Sequence, residues 1–288
     1  MSLLPALFAL SAGALFGFNL HIQKKGLEDT DGLTGAFLSI GSMAAVLWFF
    51  SPFFIEWRWW LTDAAIIFML CGLVFPATGQ SLQIVSIRRV GPALTSAGGA
   101  FAPLFAVLPA VMFLGESFGL QAIAGMTLMM GGLILSAVGT RKIPRGWPLW
   151  ALLLPLGASF MRGVVQPITK YGYAEVPSPY FSTLVMATVS TLVLYLLLLG
   201  LNQRPAIIGG GRGHRWFVLS GMINGAGILA LNNAIQLGDV TVAAPLASTT
   251  PLWALFFGIV MFRHERLGLH HAIIALLVVS GAVLIVTR

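Results

Sequence analysis

Few side chains in this 288-residue chain can do chemistry, since 58% of the residues are hydrophobic and only 9% are charged. The clearest group is Ser159, Arg162, Gln166 and Lys170, set in an otherwise apolar stretch. The last three fall at i, i+4 and i+8 and Ser159 lies one turn earlier, so a helix presents all four on one face. Arginine offers a planar fork of N–H donors matched to carboxylate or phosphate. No Asp or Glu occurs in the middle of any apolar stretch to neutralise it. The pattern therefore asks for an anionic or zwitterionic visitor, with Arg162 and Gln166 as contact residues. The competing reading is an Arg162 that lays its stem along apolar surface, extends its head to water and binds nothing.

Similar stripes recur. Asn224, Asn232 and Gln236 fall at multiples of four with Asn233 beside them, Gln80 and Gln83 are three apart, and Asn19 and Gln23 four apart. Thr95, Ser96, Ser248, Thr249 and Thr250 add hydroxyls. A polar side chain at bilayer depth is costly and usually faces a bundle interior or a wet cavity. Asn19, Gln80, Gln83, Asn224, Asn232, Thr95 and Ser248 therefore join Arg162 and Gln166 as expected substrate contacts. For any one of them the competing role is interhelical hydrogen bonding, worth about 0.6 kcal/mol. His21 is the candidate for proton coupling, because an unperturbed imidazole titrates near neutral pH; the competing role is a packed, hydrogen-bonded histidine. Glu116 and Glu265 sit at the ends of apolar stretches, where capping or pairing with Arg263 or Arg266 gives them a structural part. There is no His-Glu-x-x-His metal site, no Gly-x-Ser-x-Gly elbow and no pair of buried carboxylates, so catalysis is disfavoured and no metal or cofactor is expected. Cys71 is the only cysteine and cannot form an intramolecular disulfide.

The elements that position these residues follow from hydropathy. A mean hydropathy of +0.92 is far from that of a soluble domain, and apolar runs of about 20 residues, enough to cross the hydrocarbon of a bilayer as helices, recur from end to end. They fall near 2–23, 33–55, 61–87, 91–113, 119–139, 148–170, 179–200, 215–237, 240–262 and 268–286. The joins at Arg88-Arg89-Val90-Gly91-Pro92 and Leu237-Gly238-Asp239 must be tight turns. Ala12-Gly13-Ala14 resembles a signal-peptidase site, but no Lys or Arg precedes it and the apolar run continues through Phe16 and Phe18, so it reads as a retained first span. Spans 1, 3, 4, 6, 8 and 9 carry the polar residues and should line a cavity, while spans 2, 5, 7 and 10 should face lipid or a partner subunit. Pro76, Pro103, Pro109, Pro155, Pro167, Pro245 and Pro251 interrupt spans 3, 4, 6 and 9 and permit kinks. The net charge of +7 has no soluble face on which to track nucleic acid.

The chain also repeats itself. Phe113-Leu114-Gly115-Glu116-Ser117-Phe118-Gly119-Leu120 returns as Phe262-Arg263-His264-Glu265-Arg266-Leu267-Gly268-Leu269, and at the same offset Gly132 falls on Gly281. Gly13-Ala14-Leu15-Phe16 likewise matches Gly157-Ala158-Ser159-Phe160. Residues 1–143 and 144–288 thus read as two five-span repeats, and an odd number of spans forces the second to enter the membrane from the other side. The expected fold is an all-α integral membrane protein of ten transmembrane helices arranged as two inverted five-helix repeats. A duplication that merely enlarged a membrane protein is the competing reading.

Phe16-Gly17-Phe18-Asn19 with Lys24, and the stretch from Pro103 to Gly115-Glu116 with Gly125 and Gly131-Gly132, resemble the ten-span EamA branch of the drug/metabolite transporter superfamily. Pro251, Glu265, Gly268 and Gly281 echo them in the second half. The departures are Phe16, where that family usually has Trp, and His264, where it often has Gly. The resemblance implies a secondary transporter in the cytoplasmic (bacterial inner) membrane that exports a small metabolite by alternating access. With Arg162, a zwitterion such as an amino acid or a small organic acid is the expected substrate. A neutral or cationic drug-like cargo is the alternative, and an intramembrane enzyme or a non-transporting membrane protein the alternative of another class. Partners are then the small-molecule substrate and the bilayer, with the oligomeric state open.

Charge placement orients the spans, because cytoplasmic loops are enriched in Lys and Arg. Lys24, Lys25, Arg88, Arg89, Arg141, Lys142, Arg145, Arg204, Arg212, Arg215, Arg263 and Arg266 follow odd-numbered spans, against Arg58, Lys170 and Arg288 on the other side. Both termini are therefore predicted on the non-cytoplasmic side. A reporter that is active only in the cytosol should stay dark when fused after Arg288, and activity there would reverse the orientation.

Overall fold

The computed structural model describes residues 3–138, 149–202, 211–261 and 269–287, and among them it is helical with no strand. The helices are α1 (Leu3–Gly26), α2 (Gly32–Phe54), α3 (Asp63–Val74), α4 (Ala77–Gly99), α5 (Ala102–Leu114), α6 (Leu120–Val138), α7 (Leu153–Gly172), α8 (Pro179–Gly200), α9 (Arg212–Leu237), α10 (Val240–Ala247), α11 (Thr250–Val260) and α12 (Leu269–Val286). Among the described residues, eight helical segments are long and apolar enough to cross a membrane: Leu3–Gly26, Gly32–Phe54, Asp63–Pro92, Leu94–Leu114, Trp150–Gly172, Pro179–Gly200, Arg212–Leu237 and Val240–Val260. Shorter apolar helical stretches run over Leu120–Leu135 and Leu276–Val286, in α6 and α12. Glu265 and the neighbouring Arg263, His264 and Arg266 lie outside the described residues, as do Arg141, Lys142, Arg145 and Arg204.

Three apolar runs are broken helices, and proline stands at each break. α3 gives way to α4 at Phe75–Pro76, a cis peptide, where proline has no N–H to continue the ladder. α4 ends at Gly99 and α5 begins at Ala102, with Pro103 in its first turn; α11 begins at Thr250 with Pro251 in its first turn. Proline fits there because first-turn N–H groups have no helical acceptor anyway. α7, in contrast, continues through Pro167. The expected tight turn after Arg89 is made inside α4, where Gly91 takes φ 85° and ψ 167°, a region that glycine enters without steric penalty. The turn at Gly238 and Asp239 separates α9 from α10.

Packing relies on small residues, because lipid tails are as apolar as leucine and helix association in a bilayer depends on close contact. α1 lies against α9 and α11, α4 and α5 against α7, α2 against α8 and α9, and α6 against α12. A methyl built on Gly17 would come within 2.9 Å of the Thr250 carbonyl oxygen and 2.7 Å of the Ala254 nitrogen. One built on Gly163 would come within 2.6 Å of the Ala102 carbonyl oxygen and 3.1 Å of the Ala106 nitrogen. Gly26 abuts the Phe217 ring and Gly172 the Phe68 ring. Where α6 crosses α12, Gly125 and Gly281 meet backbone to backbone, and Gly132 faces Ile274.

α2 and α8 depart from the sequence expectation of plain outward helices. Ser39 and Met43 of α2 and Thr183 and Met186 of α8 are buried in the centre. Hydroxyl and thioether side chains blend into an apolar run, so hydropathy hides them, although each can serve a cavity wall. The glycine contacts give a direct test of packing. Gly163→Ala should lower the thermal midpoint in detergent, at an overpacking cost of about 1–3 kcal/mol, whereas Gly131→Ala, with open space around the position, should leave it unchanged or raise it.

Candidate functional site

Arg162 projects from the middle of α7 between three other elements. Its Nη2 donates a hydrogen bond to Gln83 Oε1 of α4 at 2.9 Å. Its guanidinium carbon stands 4.8 Å from the ring centroid of Phe16 on α1 and 5.3 Å from that of Phe75 before α4. The cation is thus stacked between aromatic faces, which attract it through the ring quadrupole. Among the described residues no carboxylate forms an ion pair with it; the ion pairs present join Arg58 to Glu56 and Lys170 to Glu116 and Asp239. A half-buried cation left with aromatic and amide neighbours keeps donors for an anion.

The guanidinium borders two cavities. The first has Arg162, Gln166 and Thr169 on α7, Phe16 on α1, Met43 on α2 and Phe75 and Pro76 at the α3–α4 break, and is closed by Thr183 and Met186 of α8 and Ile228, Leu231 and Asn232 of α9. Its walls are mostly apolar, with a polar strip from Arg162 to Asn232. Asn232 Nδ2 donates to Thr183 Oγ1 at 2.9 Å, while the Gln166 Oε1 is buried with no hydrogen-bond partner. The second cavity lies on the other side of Arg162 and is lined by Gln83, Thr95, Gly99, Pro155, Ala158 and Ser159.

The remaining expected contacts divide by position. Gln80 and Asn224 sit in a buried chain in which Asn224 Nδ2 donates to Gln80 Oε1 at 2.9 Å and Gln80 Nε2 donates to Ser39 Oγ at 2.9 Å; Ser39 and Ser220 are 3.3 Å apart. This chain ties α2, α4 and α9 together and lines neither cavity. Thr95 donates to the Gly91 carbonyl oxygen at the α4 turn. Ser248 donates to the Ala244 carbonyl of its own helix. Asn19 is buried on α1 with Oδ1 unpartnered. His21 turns to α11, where Nε2 donates to the Ala254 carbonyl oxygen at 2.8 Å. Sequence reasoning missed Phe16, Phe75, Met43, Thr183 and Met186 as cavity residues, because apolar and mildly polar side chains blend into their apolar surroundings.

Lys170, on the helix face it shares with Arg162 and Gln166, is paired. It sits at the end of α7, donating to Glu116 Oε1 and to the Gly238 carbonyl oxygen, each at 2.8 Å. Glu116 in turn accepts from the Val240 and Thr241 amides at 2.9 and 2.8 Å, capping the N-terminus of α10 from the opposite half of the chain. Its ion-pair partner among the described residues is Lys170; Arg263 and Arg266 lie outside those residues. Burial works to raise the Glu116 pKa, but Lys170 and the two amides outweigh it and hold the carboxyl below its usual range.

Apolar helices around a cavity with one charged head define a polytopic helical membrane protein with an internal site. The sequence model of the EamA-like transporter family matches residues 3–138 and again 149–287. The chain belongs to that family, and it is a membrane transporter. It is 32% identical over 143 residues to an uncharacterized transporter in the cobO 3' region of Sinorhizobium sp, a stretch covering 49% of this chain and 96% of that protein. A solved crystal structure, described only as that of a protein, superposes over 97% of this chain and 95% of its own with a TM-score of 0.76 at 17% identity, a likeness of fold alone.

The Glu116 network yields a pH test. Because the folded-state pKa is lowered, the stabilisation is present above the unfolded carboxyl pKa and is lost as pH falls through the folded value. Glu116→Gln should cost about 1–2 kcal/mol at neutral pH, the scale for charge-assisted hydrogen bonds in a pair that is only partly buried, and the gap to wild type should close on acidification in detergent melts.

Proposed function

We propose that the protein is a secondary transporter that carries a small zwitterionic or anionic metabolite, such as an amino acid, outward by alternating access, with Arg162 receiving the carboxylate. The observation that carries the reading is the cavity-facing guanidinium that has aromatic and amide neighbours and no carboxylate partner among the described residues. Charging the cavity this way is expensive unless an anion completes it. Gln166 and Asn232 lie beside Arg162 on the cavity wall and are suited to the polar remainder of the cargo, and the Met and aliphatic walls suit an apolar part. A cationic cargo is disfavoured because no carboxylate among the described residues lines either cavity.

In this reading the ten spans form two inverted halves, residues 1–143 and 144–288. Paired contacts support it: Gly17 against Thr250 and Ala254 answers Gly163 against Ala102 and Ala106, and Gly26 against Phe217 answers Gly172 against Phe68, at a near-constant offset. The double match of the family and a relative half as long as this chain point the same way. Inverted halves offer two exchangeable arrangements around one central site, and the breaks at Pro76, Ala100 and Ser248 are where helix segments can bend. The basic residues Lys24, Lys25, Arg88, Arg89, Arg212 and Arg215 favour a cytoplasmic-membrane orientation with both termini outside.

The test is counterflow of labelled L-amino acids and small carboxylates in proteoliposomes. Wild type should show saturable exchange of one class, Arg162→Ala should abolish it, and Arg162→Lys, a point charge without the planar fork, should retain a few per cent. Full exchange by Arg162→Ala would remove Arg162 from the site.

A further inference from the structure

Gln83 binds Arg162 without lining the main cavity. Its Oε1 accepts from the guanidinium at 2.9 Å, while its Nε2 donates to Gln23 Oε1 of α1 at 3.2 Å. Gln83 lines the second cavity with Thr95 and Ser159 and is absent from the wall of the first, whereas Arg162 borders both. The Arg162–Gln83–Gln23 chain therefore crosses from α7 through α4 to α1. Gln23 stands beside Lys24 and Lys25 at the end of α1, and Gln83 lies five residues before Arg88 within α4.

The geometry assigns Gln83 the role of a place-holder for the substrate carboxylate and of a latch between the two cavities. This rests on the carboxylate reading of Arg162 given above. A neutral amide oxygen and a carboxylate compete for the same N–H donors, and the charged acceptor makes the stronger bond. An arriving carboxylate displaces the amide, and the displaced Gln83 no longer couples α7 to Gln23 on α1. Occupation of the site thus removes a bond that ties α1, α4 and α7, which gives the substrate a differential interaction with the closed and open arrangements. The amide keeps the guanidinium partnered when no substrate is present, yet binds it weakly enough to yield. A carboxylate at position 83 would not yield.

Two substitutions separate a place-holder from a direct contact. In Gln83→Glu the side chain becomes an internal competitor for Arg162. The half-saturation concentration for the fastest-exchanging compound among the twenty labelled L-amino acids and the two- to six-carbon carboxylates should rise at least tenfold at pH 7.5. It should recover as acidification protonates the introduced carboxylate and removes the charge that competes for the guanidinium. In Gln83→Leu the competitor is gone, and half-saturation should stay level or fall. Without substrate, the Gln83→Glu thermal midpoint in detergent should exceed that of Gln83→Leu at pH 7.5 and lose the advantage at acid pH. Equal rises in half-saturation for both variants, or no change in Gln83→Glu, would overturn the assignment. So would a Gln83→Glu midpoint below that of Gln83→Leu at pH 7.5, which would place the new carboxylate away from the guanidinium. If Arg162→Ala exchanges normally, the carboxylate reading fails; if it is inactive and Gln83→Glu behaves as wild type, only the place-holder fails.

Discussion

A guanidinium inside a helical membrane bundle must be stabilised by something, and the identity of its partners sets what the rest of the site can do. Here the partners are two aromatic faces and one amide oxygen. A carboxylate on a neighbouring helix would have made a closed ion pair and neutralised the charge that attracts an anionic cargo. Aromatic rings hold the charge through their quadrupole without occupying its N–H groups. Phe16 and Phe75 come from two different elements, α1 and the α3–α4 break, so the position of the cation depends on the helix geometry around it. Glycines set that geometry where backbones approach within methyl-excluding distance, and prolines set it where helices stop short of a full crossing.

The charges that are paired serve another purpose. Lys170, on the same helix as Arg162, is taken up by Glu116, Asp239 and the Gly238 carbonyl oxygen. Glu116 supplies the acceptors that the first turn of α10 lacks, and so links the end of α5 to the turn between α9 and α10. Two cations eight residues apart therefore have opposite fates. One is neutralised at the end of a helix, where it fastens elements together, and the other is left to face a cavity.

The sequence made the helical spans legible because hydropathy over about 20 residues is a strong and redundant signal. It also exposed the turn at Gly91 and Arg162 as a charge within a span that, among the described residues, has no carboxylate partner. It was weaker on which amides face the cavity, since a three- or four-residue spacing says that residues share a face without saying which neighbour that face meets. Gln80 and Asn224 turned to each other, while Gln166 and Asn232 reached the cavity. Thr183, Met43 and Met186 were invisible because their chemistry is mild and their helices read as uniformly apolar. The partner of Lys170 was not legible, because Glu116 is distant in sequence.

The central claim is that Arg162 recognises a carboxylate, and the most direct measurement is ligand-induced thermal shift of the purified protein with paired probes, each L-amino acid against its C-terminal amide. The account predicts that at least one acid raises the midpoint, that its amide, which lacks the carboxylate charge, does not, and that Arg162→Ala responds to neither. Amides that stabilise as well as their acids, or an Arg162→Ala protein that responds as wild type does, would contradict it.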